Sequence, residues 1–259
     1  MVPIIGIWSL AITATAAQAA DIYTPLSATA ETTQTDSGWS FSVTPYAWAA
    51  SLEGETAQFG LPVVGLDWSF RDILDHLDSV AMVSAEARYD RFSLFGDVNY
   101  TKLSSDFGTP RGVLAGSVGV STEMFVGMIG SGYAILDTPS GHVDVVAGIK
   151  TWNVETGIAF RGGVLDGISR TDDATWVDGL AGLRGSYNIT PDVYLTGWGL
   201  VGAGGADLDW DVAGAIGYRI NDTFSATAGY RAVGVDYERD GFLFDVTQQG
   251  PILALSINF

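Results

Sequence analysis

Two histidines and no cysteine in 259 residues bound the chemistry this chain can perform. Without a thiol there is no disulfide, no thiolate metal centre and no cysteine nucleophile. His76 sits among Asp72, Asp75 and Asp78, residue types that hold a metal ion or activate a water when they converge. Its only histidine partner would be His142, which the strand pattern puts at the opposite end of the fold. A solvated histidine among acids is therefore expected, and no catalytic residue is assigned. Asp207, Asp209 and Asp211 alternate as oxygen ligands for calcium could. The EF-hand pattern fails there, because Val212 stands where glycine is needed and Tyr218 where the closing glutamate belongs. The sequence calls for no cofactor and no resident metal.

A second set of charges is more ordered. Glu86, Arg88, Asp97, Glu123, Lys150, Asp178, Arg184, Arg219 and Arg231 each fall inside an alternating stretch and are assigned to its more polar face. Acids and bases are present in similar numbers. A carboxylate or guanidinium in a narrow interior must be paired or hydrated, or it costs several kcal/mol. Two arrangements satisfy that need. One is a network that plugs the interior; the other is a small polar pore lined by Arg88, Lys150, Arg184, Arg219 and Arg231. Interior width decides between them, and a narrow barrel favours the plug.

The elements that hold these charges read as strands. Alternation predicts about ten, over 39–52, 79–89, 92–103, 117–135, 141–153, 175–187, 193–203, 208–220, 223–237 and 242–259. In the third of these, Phe92, Leu94, Gly96, Val98 and Tyr100 share one face and Ser93, Asp97, Asn99 and Thr101 the other. The segment 53–78 is acidic, with a short strand expected at 63–70 and a helical turn at 72–77. Connections alternate between short (90–91, 137–140, 188–192, 221–222) and longer (104–116, 154–173). Hydrophobic residues make up 47% of the chain, yet they are dispersed at alternate positions and form no run that could cross a bilayer as a helix. A net charge of −18 excludes nucleic acid as a partner, since a phosphate backbone demands a basic surface.

Residues 1–19 are uncharged, apolar from Ile4 to Ala17 and end on Ala17-Gln18-Ala19, the pattern of a cleaved signal peptide, although the usual early lysine or arginine is absent. Residues 20–38, rich in Thr, Ala and Ser, read as a disordered lead-in. The remainder, 39–259, reads as one all-β domain: a transmembrane antiparallel β-barrel of about ten strands, with eight or twelve as alternatives. Tyr89, Phe92, Tyr187, Tyr218 and Phe224 beside the short turns, with Tyr100 and Trp152 toward the long loops, are expected to form two aromatic girdles.

The motifs Trp39, Pro45-Tyr46-Ala47-Trp48, Gly229-Tyr230-Arg231, Gly250-Pro251 and the terminal Phe259 resemble those of Gram-negative outer-membrane β-barrel proteins, in particular a group that opens on Pro-Tyr-x-Trp and closes on an aromatic residue. The resemblance covers about 39–259. It implies export to the outer membrane with the signal peptide removed and both ends of the barrel in the periplasm. Leu255, Ile257 and Phe259 would be the signal read by the barrel-assembly machinery. The neighbours would be outer-membrane lipid and lipopolysaccharide, with divalent cations at acidic loop residues such as Glu53, Glu55, Asp166, Asp172, Asp173, Glu238 and Asp240. The expected function is a non-enzymatic envelope protein. A narrow porin-like channel for small polar solutes is the second reading and a rim enzyme the third. The two prolines, Pro45 and Pro251, fall in the first and last strands, which must pair to close the ring, so the seam is expected to be its least regular pairing.

Overall fold

The computed structural model describes residues 38–109 and 114–259; the expected leader, and the lead-in up to residue 37, lie outside them. In chain order the elements are β1 (Trp39–Trp48), β2 (Ser51–Ala57), β3 (Val64–Trp68), α1 (Phe70–Asp75), β4 (Leu77–Tyr89), β5 (Phe92–Gly108), β6 (Ser117–Thr138), β7 (Gly141–Arg161), β8 (Ser169–Asn188), β9 (Val193–Gly204), β10 (Leu208–Arg219), β11 (Phe224–Arg239) and β12 (Phe242–Asn258). Ten of these strands close a ring in the order β1, β4 to β12 and back to β1, while β2 and β3 continue beyond it on β12. Neighbouring strands are antiparallel throughout. Closure leaves no sheet edge around the ring except where strands stop pairing.

Local chemistry sets the hairpins. Asp240 and Gly241 both take positive φ (53° and 84°), as a two-residue type I′ turn requires, and Asp90 (φ 51°) opens the tight Asp90-Arg91 connection. Strands β7 and β8 are longer than the alternation predicts. Their ladder runs up to Ala159 opposite Ser169, leaving only 162–168 as a loop. Beyond the apolar belt both faces of a strand meet water, so the alternation that marks a strand fades there while the hydrogen bonds continue.

The first predicted strand is broken. β1 pairs with β12 up to Trp48 opposite Ile252, and β2 resumes at Ser51 opposite Gln249. Gly250 lies at the break, where a Cβ would stand 2.1 Å from the Ala49 carbonyl oxygen, so only glycine fits. β2 then turns back into β3, and the chain enters α1. Ser69 caps that helix: its hydroxyl accepts from the Asp72 amide, while its own amide donates to the Asp72 carboxylate. These bonds start the helix two residues before the predicted turn. The Ser69 hydroxyl also donates to the Asp72 carboxylate (2.6 Å), and this bond, with the one from the Ser69 amide, holds that carboxyl below the usual carboxylate range.

The alternation sorts residues by face. Leu94, Ile129, Val145, Ile149, Leu183 and Ile216 are exposed on the outside, forming an apolar belt far larger than the patches that water-soluble monomers show. Around the short turns the belt ends in exposed aromatics, with Trp39 packed on Tyr89 and Phe92 on Tyr133, each pair 5.0 Å apart. Trp152 joins no outer girdle. It lies on the inward parity of β7, fully buried and stacked 5.8 Å from Trp176. Trp176 stacks in turn on Tyr237 at 4.1 Å, and Phe244, Val246 and Val235 complete this cluster within the loop half of the barrel.

Both prolines mark departures from regular pairing. The β1–β12 ladder lapses at Thr44 and Pro45 before resuming at Tyr46 opposite Ala254, and it closes at its other end with the Phe259 amide donating to the Phe41 carbonyl (2.9 Å). On its opposite side β1 pairs with β4 only as far as Pro45 opposite Val83. Above that level the two strands part.

Candidate functional site: a charged partition in the lumen

Four cations and six acids point inward, and they meet in three groups. Nearest the short turns, Glu86 and Arg88 share one face of β4 two residues apart, while Asp144 and Arg184 lie opposite each other on β7 and β8. Arg88 donates to Asp144 through both terminal nitrogens and to Glu86 at 3.2 Å. Arg184 donates to Glu86 (2.9 Å) and Ser93 (3.3 Å), with its guanidinium 4.5 Å from the Phe95 ring centre. Asp144 is fully buried, so these two arginines replace the water it would otherwise hold.

The second group crosses the middle of the lumen. Arg231 of β11 donates to both oxygens of Asp211 on β10 (3.2 and 2.6 Å), to Asp97 on β5 (3.4 Å) and to the Tyr46 hydroxyl on β1 (3.1 Å). Tyr46 donates to Asp97 (3.1 Å), and the Trp198 indole N–H donates to Asp211 (2.7 Å). The planar fork suits this role, since it serves several acceptors at once and lies against the rings of Tyr46, Trp48 and Trp198 at 5.2 to 5.9 Å. In the third group Lys150 reaches Asp209 (2.8 Å), which also accepts from the Trp152 indole (2.7 Å). Asp178 accepts from the Ala206 amide (2.8 Å) through one oxygen, and its other oxygen has no partner among the described residues.

Seven of the nine charges singled out from sequence face the lumen near these groups: Glu86, Arg88, Asp97, Lys150, Asp178, Arg184 and Arg231. Two do not join them. Glu123 is on the outer surface, paired with Lys102 (3.3 Å) and the Tyr100 hydroxyl (2.8 Å), because Met124 and Val126 fill the inward positions of β6 around it. Arg219 caps the turn end instead of meeting an acid. It donates to the Pro191 carbonyl (2.8 Å) and Asn188 (2.7 Å) and covers the Tyr194 ring. The sequence reading also misses Asp144, which shares its alternation with Lys150. Asp209 and Asp211, considered as calcium ligands, are buried against Lys150 and Arg231, while Asp207 is exposed before the strand begins. The protein's own cations thus hold the positions a metal ion would need. Among the described residues no group of three metal-ligating side chains converges.

Two cavities lie toward opposite ends of the interior, and Asp97, Asp211 and Arg231 line the one nearer the turns. That cavity, of about 300 Å³, is also lined by Glu86, Arg184 and His142; the other, of about 670 Å³, opens toward the loops. Among the residues lining them, Tyr46 alone is common to both.

The histidines lie at opposite ends. His76 closes α1, its Nδ1 2.7 Å from the Asp72 carbonyl oxygen and its ring against Trp68. His142, at the turn end, has Nδ1 3.2 Å from the Ser186 hydroxyl and Nε2 3.9 Å from Asp144. This resembles a serine, histidine and acid set in composition only. The acid of a working triad orients the imidazole by accepting its hydrogen bond, and here Asp144 is committed to Arg88 and Arg184.

A closed ring of ten antiparallel strands, apolar outside and charged within, is the architecture of bacterial outer-membrane β-barrels. The outer-membrane protease OmpT from Escherichia coli has a similar fold, with a TM-score of 0.52 at 12% identity over 85% of this chain and 97% of that one. The translocator domain of the autotransporter NalP from Neisseria meningitidis gives 0.50 at 13% identity over 88% and 90%. At these identities the likeness concerns the fold alone. No protein-family model matches the chain, and no curated protein matches it.

Proposed function

We propose that this chain is a non-enzymatic barrel of the Gram-negative outer membrane whose lumen is closed to through-flow. The carrying observation is the group of Tyr46, Asp97, Asp211 and Arg231, which meets both cavities at Tyr46 and leaves its charges satisfied by one another, and which we take as the partition between them. A polar pore needs side chains free to exchange with a passing solute. Here the arginines that would line it are engaged with acids or backbone carbonyls. The short turns face the periplasm and the β2–β3 end faces outward, as in other barrels of this architecture. Asp236, Asp245 and Glu55 stand opposite one another on adjacent strands of that outer end. Like charges so placed repel, and divalent cations bridging to lipopolysaccharide phosphates would relieve them.

Proteoliposomes containing the purified barrel should swell in isotonic small sugars or amino acids no faster than protein-free vesicles. Swelling that depends on protein dose and falls with solute size would instead make the barrel a channel.

A further inference from the structure

The larger cavity differs from the rest of this acidic protein. Among the described residues that line it, none is Asp, Glu, Lys, Arg or His, in a chain that carries 30 acids. Its inner wall is formed by side chains such as Trp48, Met82, Met124, Val154 and Phe244. Its size, about 670 Å³, is that of a small-molecule site. The polar groups that reach it are uncharged. Gln248 is one of them, and its side-chain amide meets only the thioether sulfur of Met124, at 3.5 Å. A charged ligand would find no counterion among the described residues of this space, whereas a hydrocarbon chain loses nothing by entering it.

The wall beside the cavity is open. Pairing between β1 and β4 stops at Pro45 opposite Val83, so Tyr46 to Trp48 and the first residues of β4 face each other without a ladder. Ala47, Pro251 and Leu253 face outward, yet they line the same space as the inward-facing Met82 and Trp48. The cavity therefore runs through the wall. Above the gap sits α1, whose Phe70, Ile73 and Leu74 also line the cavity and none of whose residues is buried. Unpaired strand backbone at membrane depth is tolerated where it lines a cavity. The opening meets the edge of the apolar belt: Val83 and Leu253 are exposed just beside it, and the outward pair Lys102–Glu123, level with Ser79, marks the polar side four residues above Val83.

We infer that the loop-end cavity binds the aliphatic chain of a membrane lipid, which enters sideways from the outer leaflet through the gap between β1 and β4. The inference rests on the membrane placement proposed above, and one experiment separates the two. The barrel is reconstituted in vesicles of phosphatidylcholine bearing a diazirine near the end of one acyl chain, irradiated, and its cross-linked residues are mapped by mass spectrometry. Cross-links are expected at belt residues such as Leu94 and Ile149 and also at inward-facing Met82 and Met124. Belt cross-links without Met82 or Met124 would overturn lipid binding in the cavity while leaving the membrane placement intact. Loss of the belt cross-links would overturn the placement itself.

Ala47→Trp, an outward change at the rim of the gap where an interfacial tryptophan is well tolerated, tests the route. It should lower cross-linking at Met124 at least fivefold and leave Ile149 unchanged. An unchanged Met124 yield would show that the chain arrives from the loop end and would overturn lateral access.

Discussion

Arg231→Met should destabilise the barrel by about 3 to 5 kcal/mol, the usual cost of removing one member of a buried ion pair. The loss has little to do with arginine's own packing. Asp211 is 1% exposed and loses its ion-pair partner; among the described residues it retains the Trp198 indole N–H as a side-chain donor, while Asp97 keeps the Tyr46 hydroxyl. Equilibrium urea unfolding in detergent micelles would measure the effect. The double variant Arg231→Met with Asp211→Leu should recover most of it, because replacing a whole buried pair with apolar side chains is often neutral or better. A single variant as stable as the parent would mean that water already reaches these groups and that the partition is loosely held.

Trp152→Ala should cost a similar amount, about 3 to 5 kcal/mol, as expected for a large aromatic removed from a packed core. Trp152 is 1% exposed and stacks on Trp176, and its indole N–H is one of two side-chain donors to buried Asp209. Trp152→Phe separates these contributions. It keeps most of the ring and removes the donor, so about 1.5 to 3 kcal/mol should be lost, the range for a hydrogen bond to a charged group. If phenylalanine costs as much as alanine, the Asp209 bond carries the site. If it costs nothing, the stacking does.

The face of each strand is legible from sequence wherever large and polar residues alternate cleanly. Val145 and Leu183 on one face of their strands, and Lys150 and Arg184 on the other, can be assigned by parity alone, and the structure places them outside and inside respectively. Parity fails at Glu123-Met124-Phe125-Val126, where apolar residues occupy both faces and the glutamate is drawn to the wrong one. It also cannot say which charges meet. Lys150 lies directly opposite Asp178 in the ladder, yet its ammonium bonds Asp209 across the lumen, three strands away. Pairings of that kind depend on how far the ring curves. The loop-end cavity is hidden for the same reason: it exists because β1 and β4 part above Pro45, a matter of register to which only the proline points.

The closed partition is the central claim, and the absence of cysteine makes it directly testable. Val80 and Ser84 lie four residues apart on the inward face of β4, Val80 lining the loop-end cavity and Ser84 the turn-end one. Val80→Cys and Ser84→Cys would be expressed separately in the outer membrane of cells lacking general porins and exposed to a small, charged thiol reagent that does not cross lipid, before and after the periplasm is opened. The thiol at position 80 should react in intact cells, and the thiol at position 84 only once the periplasm is opened. Equal labelling of both positions from outside would show a continuous lumen and contradict the partition.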